Sequence, residues 1–111
     1  MKQVDYKQFE EIEIRVGRVV RAEDFPKARR PAYKLWIDFG DLGVKKTSAQ
    51  ITHLYGVEDL VGRQVVAVCN FPPRQIADFQ SEVLVLGAVH DTGEVVLLRP
   101  DRDVPHGCRV L

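Results

Sequence analysis

The chain has 111 residues, a length that fits one compact domain with one hydrophobic core. Its 16 basic and 16 acidic side chains leave no net charge, so the molecule as a whole is not attracted to nucleic acid or to a membrane surface. Any electrostatic partner must therefore meet a local patch. No stretch approaches the roughly 18 apolar residues of a membrane span, and the first residues lack the apolar run of a secretory signal. We expect a cytoplasmic protein without membrane insertion.

The first part of the chain predicts a short helix and then a strand. Asp5 followed by Gln8 is typical of a capping box, and the apolar residues after Asp5 have helical spacing. Residues 14–22 are rich in valine, which favours a strand, and Gly17 within them predicts a bulge or a sharp bend. The polar stretch over 23–31 predicts a loop.

Strict alternation predicts the next two strands. Over 33–39 the odd-numbered residues are apolar, so the even-numbered residues point to the opposite face. Glycines at both ends of 40–43 predict a hairpin turn. The third strand, over 44–51, is apolar on one face and polar on the other, which predicts that it is half-buried.

The second half of the chain predicts deeper burial. Two glycines bracket one or two helical turns within 53–62. Residues 63–70 and 82–89 are apolar on both faces, as central strands are, and 94–100 predicts a further short strand. Between these strands, 71–81 predicts a stiff polar loop, because its prolines lack the N–H that a ladder requires.

This order of elements predicts an all-β fold. Three strands, a short helix and two more strands are typical of the five-stranded OB barrel. We therefore expect one OB-fold domain over residues 1–111, with a short N-terminal helix, a short helix between strands three and four, and a C-terminal β extension.

The polar face of the second and third strands is a candidate binding site, since OB barrels bind ligands there. Its members are Lys34, Trp36, Lys46, Ser48 and Gln50. Trp36 is suited to stacking a base or packing a peptide side chain. The alternative is that a loop or a second subunit covers Trp36.

A basic segment over 21–34 is a second candidate. Its charged residues are Arg21, Lys27, Arg29, Arg30 and Lys34, against Glu23 and Asp24. Such a segment can contact phosphates, which gives affinity without reading sequence. The alternative is a solvated loop that keeps a sheet edge soluble.

The residues that carry enzyme chemistry form no recognisable motif. His53, His90 and His106 are scattered, and there is no C-x-x-C pair among the two cysteines, Cys69 and Cys108. We expect no enzyme activity, no metal, no cofactor and no structural disulfide.

Self-association is expected from the excess of apolar residues in the later strands. Segments that are apolar on both faces offer more surface than one small barrel can bury. Because twofold dimers are the commonest oligomers, we expect a homodimer formed through the N-terminal helix and the C-terminal segment.

Several motifs resemble those of the tRNA-binding-domain family. They are RVGRV at 15–19, PAYKLWIDFG at 31–40, KKTSAQIT at 45–52, NFPPRQIADFQSEVLVLG at 70–87 and PHGCRVL at 105–111. The resemblance implies an OB-fold homodimer that binds tRNA by structure more than by sequence. In the secretion-chaperone branch, which the chain resembles most, it implies binding of preproteins and unfolded peptide segments and cooperation with the Sec translocase.

The resemblance also carries residue roles onto this chain. Lys34 corresponds to the lysine that the tRNA-binding relatives present to RNA, and Ser81 opens the segment equivalent to their SGM motif. Here Glu82 replaces the glycine, and a carboxylate near phosphate lowers affinity for RNA.

Two sets of site residues follow. The predicted peptide-binding residues are Trp36, Gln50, Asn70, Pro72, Arg74 and Ser81. The predicted RNA-binding residues are Arg29, Arg30, Lys34, Lys46, Arg74 and Ser81. The leading hypothesis is a protein-export chaperone and the alternative is a structure-specific tRNA-binding protein, while the identity of the client, the translocase contact and the exact dimer interface stay open.

Overall fold

Short helices and strands follow one another along residues 1–111, all of which the computed structural model describes. The helices are α1 (Tyr6–Glu10) and α2 (Val57–Leu60), and a 3₁₀ turn covers Gly40–Leu42. The strands are β1 (Ile14–Asp24), β2 (Tyr33–Asp38), β3 (Val44–Ala49), β4 (Gln64–Val68), β5 (Arg74–Ile76), β6 (Phe79–Ser81), β7 (Leu84–Val85), β8 (Gly87–Val89) and β9 (Val95–Leu97). Neither helix has the length and apolar character needed to cross a membrane.

Five antiparallel strands form the barrel, in the order β3-β2-β1-β4-β7. Strand β1 is long enough to pair with β4 through its first half and with β2 through its second half. The register shifts between Val19 and Arg21, so β1 bends from one partner to the other. The predicted all-β, OB-type barrel with short helices is confirmed.

The barrel closes between β3 and the segment before β7. The Glu82 N–H donates to the Lys46 carbonyl at 2.8 Å. The Thr47 hydroxyl donates to the Val83 carbonyl at 2.7 Å, which gives this buried polar group a partner. We call this junction the seam.

The main core confirms the predicted alternation. Leu35, Ile37 and Phe39 point inward and are fully buried, and the inward-facing Thr47 and Ala49 of β3 are buried as well. Burial of one face explains why both strands alternate, since a register slip would expose every apolar side chain at once.

Gly17 serves a close approach between strands, while the bend that we predicted at this residue lies further along, between Val19 and Arg21. A Cβ atom at residue 17 would lie 2.6 Å from the Ile37 Cγ2 and 2.8 Å from the Phe39 ring. The glycine therefore lets the Phe39 ring pack directly against the backbone of β1.

In two segments the structure differs in detail from the prediction. The stretch over 71–81 contains a β-hairpin, β5–β6, with Ala77 at a positive φ of 51° in its turn, so the prediction of a plain loop is wrong. The predicted strand 82–89 is interrupted, because Leu86 changes partner. Its N–H donates to Val66 of β4, and its carbonyl accepts from Leu98 beyond β9.

The C-terminal segment lies against the barrel and fixes the 3₁₀ turn. The Asp38 carboxylate accepts from the Gly40 N–H at 2.8 Å and lies 3.3 Å from Nδ1 of His106. These two partners lower the pKa of Asp38, the Gly40 N–H most strongly. A lowered pKa means that the ionised carboxylate stabilises the folded state at neutral pH, and that this stabilisation is lost as the pH falls through the folded-state pKa.

We therefore expect Asp38→Asn to lower Tm at neutral pH, with a difference that shrinks between about pH 5 and about pH 2 as the wild-type carboxylate becomes protonated. Thermal unfolding followed by circular dichroism across this range measures it. Asp91→Asn, in an exposed turn, is the matched control and should show no such trend. A pH-independent Tm difference for Asp38→Asn would contradict the charge effect.

Candidate functional site

An apolar groove runs between the end of β3, the start of the β5–β6 hairpin and the segment over 82–89. Its volume is about 550 Å³. Among its walls, Phe71 is 48% exposed, Leu84 49% and Val89 69%. Large apolar side chains this open to solvent, gathered in one concave place, are typical of a binding surface.

A basic cleft of about 1010 Å³ adjoins the apolar groove. It lies between the 25–32 loop and the β5–β6 hairpin, and Arg29, Arg30 and Arg74 line it. None of these three guanidinium groups has an ion-pair or hydrogen-bond partner within the chain, and all three residues are exposed. The cleft therefore presents positive charge that is not neutralised locally.

One ion pair joins the two sides of the basic cleft. The Lys27 Nζ lies 2.8 Å from Oδ2 of Asp78. The hydrogen bond to Asp78 raises the pKa of Lys27, and the same bond lowers the pKa of Asp78. Both groups are exposed, so the pair contributes little to stability, but it links the loop to the tip of the hairpin.

An aromatic cluster of Phe25, Trp36 and Phe79 packs beneath the hairpin, apart from the main core. The Trp36 ring meets the Phe79 ring edge-on at 6.0 Å, and the Arg21 guanidinium lies 4.4 Å from the Trp36 ring centroid. Trp36 is therefore half-buried, and it lines neither the apolar groove nor the basic cleft. This agrees with the alternative that another part of the chain covers it, and the cover is the β5–β6 hairpin.

Lys34 and Lys46 lie on the outer side of the aromatic cluster. The Lys34 ammonium is 4.8 Å from the Phe25 ring centroid and 5.1 Å from that of Phe79. The Lys46 ammonium is 5.2 Å from the Phe79 centroid. Cation–π contacts of this length are favourable. Neither lysine lines the basic cleft, although Lys34 pairs across the sheet with Ser48, which does.

The side chains of Ser81 and Glu82 complete the seam. The Ser81 hydroxyl accepts from the Ser48 N–H at 3.0 Å and lies 3.1 Å from the Thr47 hydroxyl. The Glu82 Oε1 accepts from the Lys46 N–H at 2.9 Å. These oxygens take the place of strand carbonyls, a role that sequence reasoning missed because the two partners are more than thirty residues apart.

The remaining predicted residues divide between the groove and the junction of α1 with β1. Gln50, Pro72 and Arg74 line the apolar groove together with Ser81. Asn70 lies apart, where its Oδ1 accepts from the Glu13 N–H and its Nδ2 donates to the Glu11 carbonyl, next to the end of α1. Sequence reasoning missed the exposed apolar wall residues as site residues, although the two-sided apolar pattern of 82–89 was their signal.

The barrel, the hairpin and the groove on its rim define a small binding domain, and comparison with known proteins identifies its class. Residues 14–109 match the family model described as "Putative tRNA binding domain". The chain therefore belongs to the tRNA-binding-domain family. This confirms the family resemblance seen in the sequence motifs.

Within this class, the chain is similar to solved structures of CsaA chaperones. It is 50% identical to chaperone CsaA from Bacillus anthracis, with a TM-score of 0.95, covering 99% of this chain and 100% of that one. It is 49% identical to the CsaA chaperone protein from Picrophilus torridus, with a TM-score of 0.91, covering 98% of this chain and 100% of that one.

The chain is also 40% identical over 110 residues to a methionine–tRNA ligase of Methanocaldococcus jannaschii. This match covers 99% of the chain but only 17% of the ligase. The likeness is therefore to one module of a much longer enzyme.

Proposed function

We propose that the one domain formed by residues 1–111 acts in the cytoplasm as a CsaA-type protein-export chaperone, binding preproteins or unfolded peptide segments. The observation that carries the proposal is the open apolar groove, with its half-exposed Phe71 and Leu84. Apolar side chains of an extended segment would replace water against these walls, which is favourable in proportion to the apolar area buried. The likeness to CsaA chaperones at about half identity supports the same reading.

Polar groups at the edge of the groove would orient the client. Gln50 is exposed where β3 ends, and its amide is suited to hydrogen bonds with a peptide backbone. Binding of this kind needs no chemical step, so the domain would act by holding a segment extended and releasing it.

We further propose a homodimer formed through the N-terminal helix and the C-terminal segment, with the Sec translocase as the recipient of the client. On the N-terminal side Val4 is 71% exposed and Tyr6 65%. On the C-terminal side Leu98 is 43% exposed and Leu111 80%. Exposed apolar residues on both segments are what a twofold interface would cover.

Fluorescence anisotropy with a labelled unfolded preprotein segment tests the proposal. We expect saturable binding that an unlabelled copy of the segment displaces. The matched control is the folded protein from which the segment is taken. Its apolar segments are hidden in the folded state, so it should not compete with the labelled segment for binding. Absence of saturable binding, or equal competition by the folded control, would sink the chaperone proposal.

Binding of tRNA is the second candidate, and the basic cleft favours it because Arg29, Arg30 and Arg74 are free to contact phosphates. Lys34 and Lys46 around the aromatic cluster would extend this basic face. Gel shifts with bulk tRNA should then weaken steeply as salt rises and should be lost in the double variant Arg29→Glu/Arg30→Glu. If no shift occurs even at low salt, the RNA alternative fails.

A further inference from the structure

The apolar groove and the basic cleft adjoin each other, and we call the two together the channel. Both are lined by Ser48, Gln50, Arg74 and Ile76, so the two hollows share an edge. Arg74 lies at the junction, on the first residue of the β5 strand. An extended chain that crosses this shared edge would contact both halves of the channel.

The charge of the channel changes along its length. No aspartate or glutamate lines the basic cleft, and Asp78 beside it is engaged by Lys27. In the apolar groove the only charged side chains are Arg74 and Glu82. One Glu82 oxygen is held by the Lys46 N–H, at the edge of the groove. The channel thus offers an apolar wall at one end and unpaired guanidinium groups at the other.

Guanidinium groups bind carboxylates through paired, charge-assisted hydrogen bonds. An acidic side chain that follows an apolar stretch would meet Arg29, Arg30 or Arg74 while the apolar stretch fills the groove. A basic side chain at the same place would add like charge to three unneutralised cations.

We propose, building on the proposed chaperone function, that the preferred client is a bipartite polypeptide segment in which an apolar stretch lies next to acidic residues. The apolar groove binds the first part and the basic cleft binds the second. This makes Arg29, Arg30 and Arg74 determinants of client choice.

Four labelled peptides of equal length test the inference on the full chain. Three share one apolar half and carry a tail of glutamate, glutamine or lysine, and the fourth joins the glutamate tail to a serine-glycine half. We expect the apolar-glutamate peptide to bind about ten-fold more tightly than the apolar-glutamine peptide, and the apolar-lysine peptide to bind more weakly than either. The glutamate advantage should shrink between about 50 mM and about 300 mM salt, because the cleft is exposed.

The double variant Arg29→Gln/Arg30→Gln should lose most of the glutamate advantage. Arg102→Gln, on an arginine that is 91% exposed and lines neither half of the channel, is the matched control and should keep it. These positions are on the surface, so circular dichroism should show an unchanged fold for both variants.

The outcomes separate the inference from the function it rests on. Equal affinity for the three apolar peptides would overturn the bipartite client and leave polypeptide binding intact. No binding of any peptide would defeat the chaperone proposal itself. A third outcome is that the serine-glycine peptide with the glutamate tail binds as tightly as the apolar-glutamate peptide and that tRNA displaces it fully. This outcome would show that the cleft binds anions in general, and it would also overturn the proposal of a bipartite client.

Discussion

Phe39→Ala is expected to lower the free energy of unfolding by about 3 to 5 kcal/mol, as for other buried aromatic residues. The Phe39 ring is fully buried and packs against the bare backbone at Gly17. The strands on both sides are held by their ladders, so the barrel cannot collapse into the space that the ring leaves. Urea unfolding monitored by circular dichroism measures the change, which is a large fraction of the roughly 5 to 15 kcal/mol that stabilises a typical domain.

Phe71→Ala removes the same side chain from a half-exposed position and is the matched control for stability. It should cost less than about 1.5 kcal/mol, because much of the ring is already in water. If the two variants unfold at the same urea concentration, Phe39 does not have the core role that its burial indicates.

Phe71→Ala should, in contrast, weaken binding of an unfolded peptide by about ten-fold. Phe71 is the largest apolar side chain that lines the groove, and burying it under a client should contribute about 1.5 kcal/mol or more. Fluorescence anisotropy with the apolar-glutamine peptide gives the affinity without a contribution from charge.

A second variant tests whether the loss of peptide affinity in Phe71→Ala is specific to the groove. Val20→Ala removes an apolar side chain that is 49% exposed at the bend in β1, outside the groove. Peptide affinity should be unchanged in this variant. Equal weakening by Phe71→Ala and Val20→Ala would mean that clients adhere to apolar surface in general, and the groove would lose its role.

Strands β2 and β3 of the barrel were predictable because each has one face that must be buried. The alternation over 33–39 and 44–51 leaves one register that hides the apolar residues, so the sequence alone specifies these strands and the side chains that face outward. The continuous apolar run of 63–70 likewise predicted β4, whose residues are all buried.

The hairpin and the position of Trp36 were not predictable from local pattern. Strands β5 and β6 have three residues each and are mostly polar, so no periodicity marks them. The cover over Trp36 depends on Phe79, which reaches the Trp36 ring because the hairpin packs beside β3. Contacts between residues so far apart in the chain arise from tertiary packing, which overrides local preference.

The seam differs from the other contacts between neighbouring barrel strands, because side chains supply some of its hydrogen bonds. Elsewhere neighbouring strands are joined by backbone ladders. At the seam one backbone bond, from the Glu82 N–H to the Lys46 carbonyl, stands beside side-chain bonds, because the Lys46 and Ser48 amides are satisfied by the side chains of Glu82 and Ser81. Rotation about side-chain bonds is enough to release these two amides, so we expect local opening of the barrel to begin at the seam. Residues on both sides of the seam also line the apolar groove. A bound segment that pushes the walls of the groove apart would therefore also pull on the side-chain bonds that close the barrel.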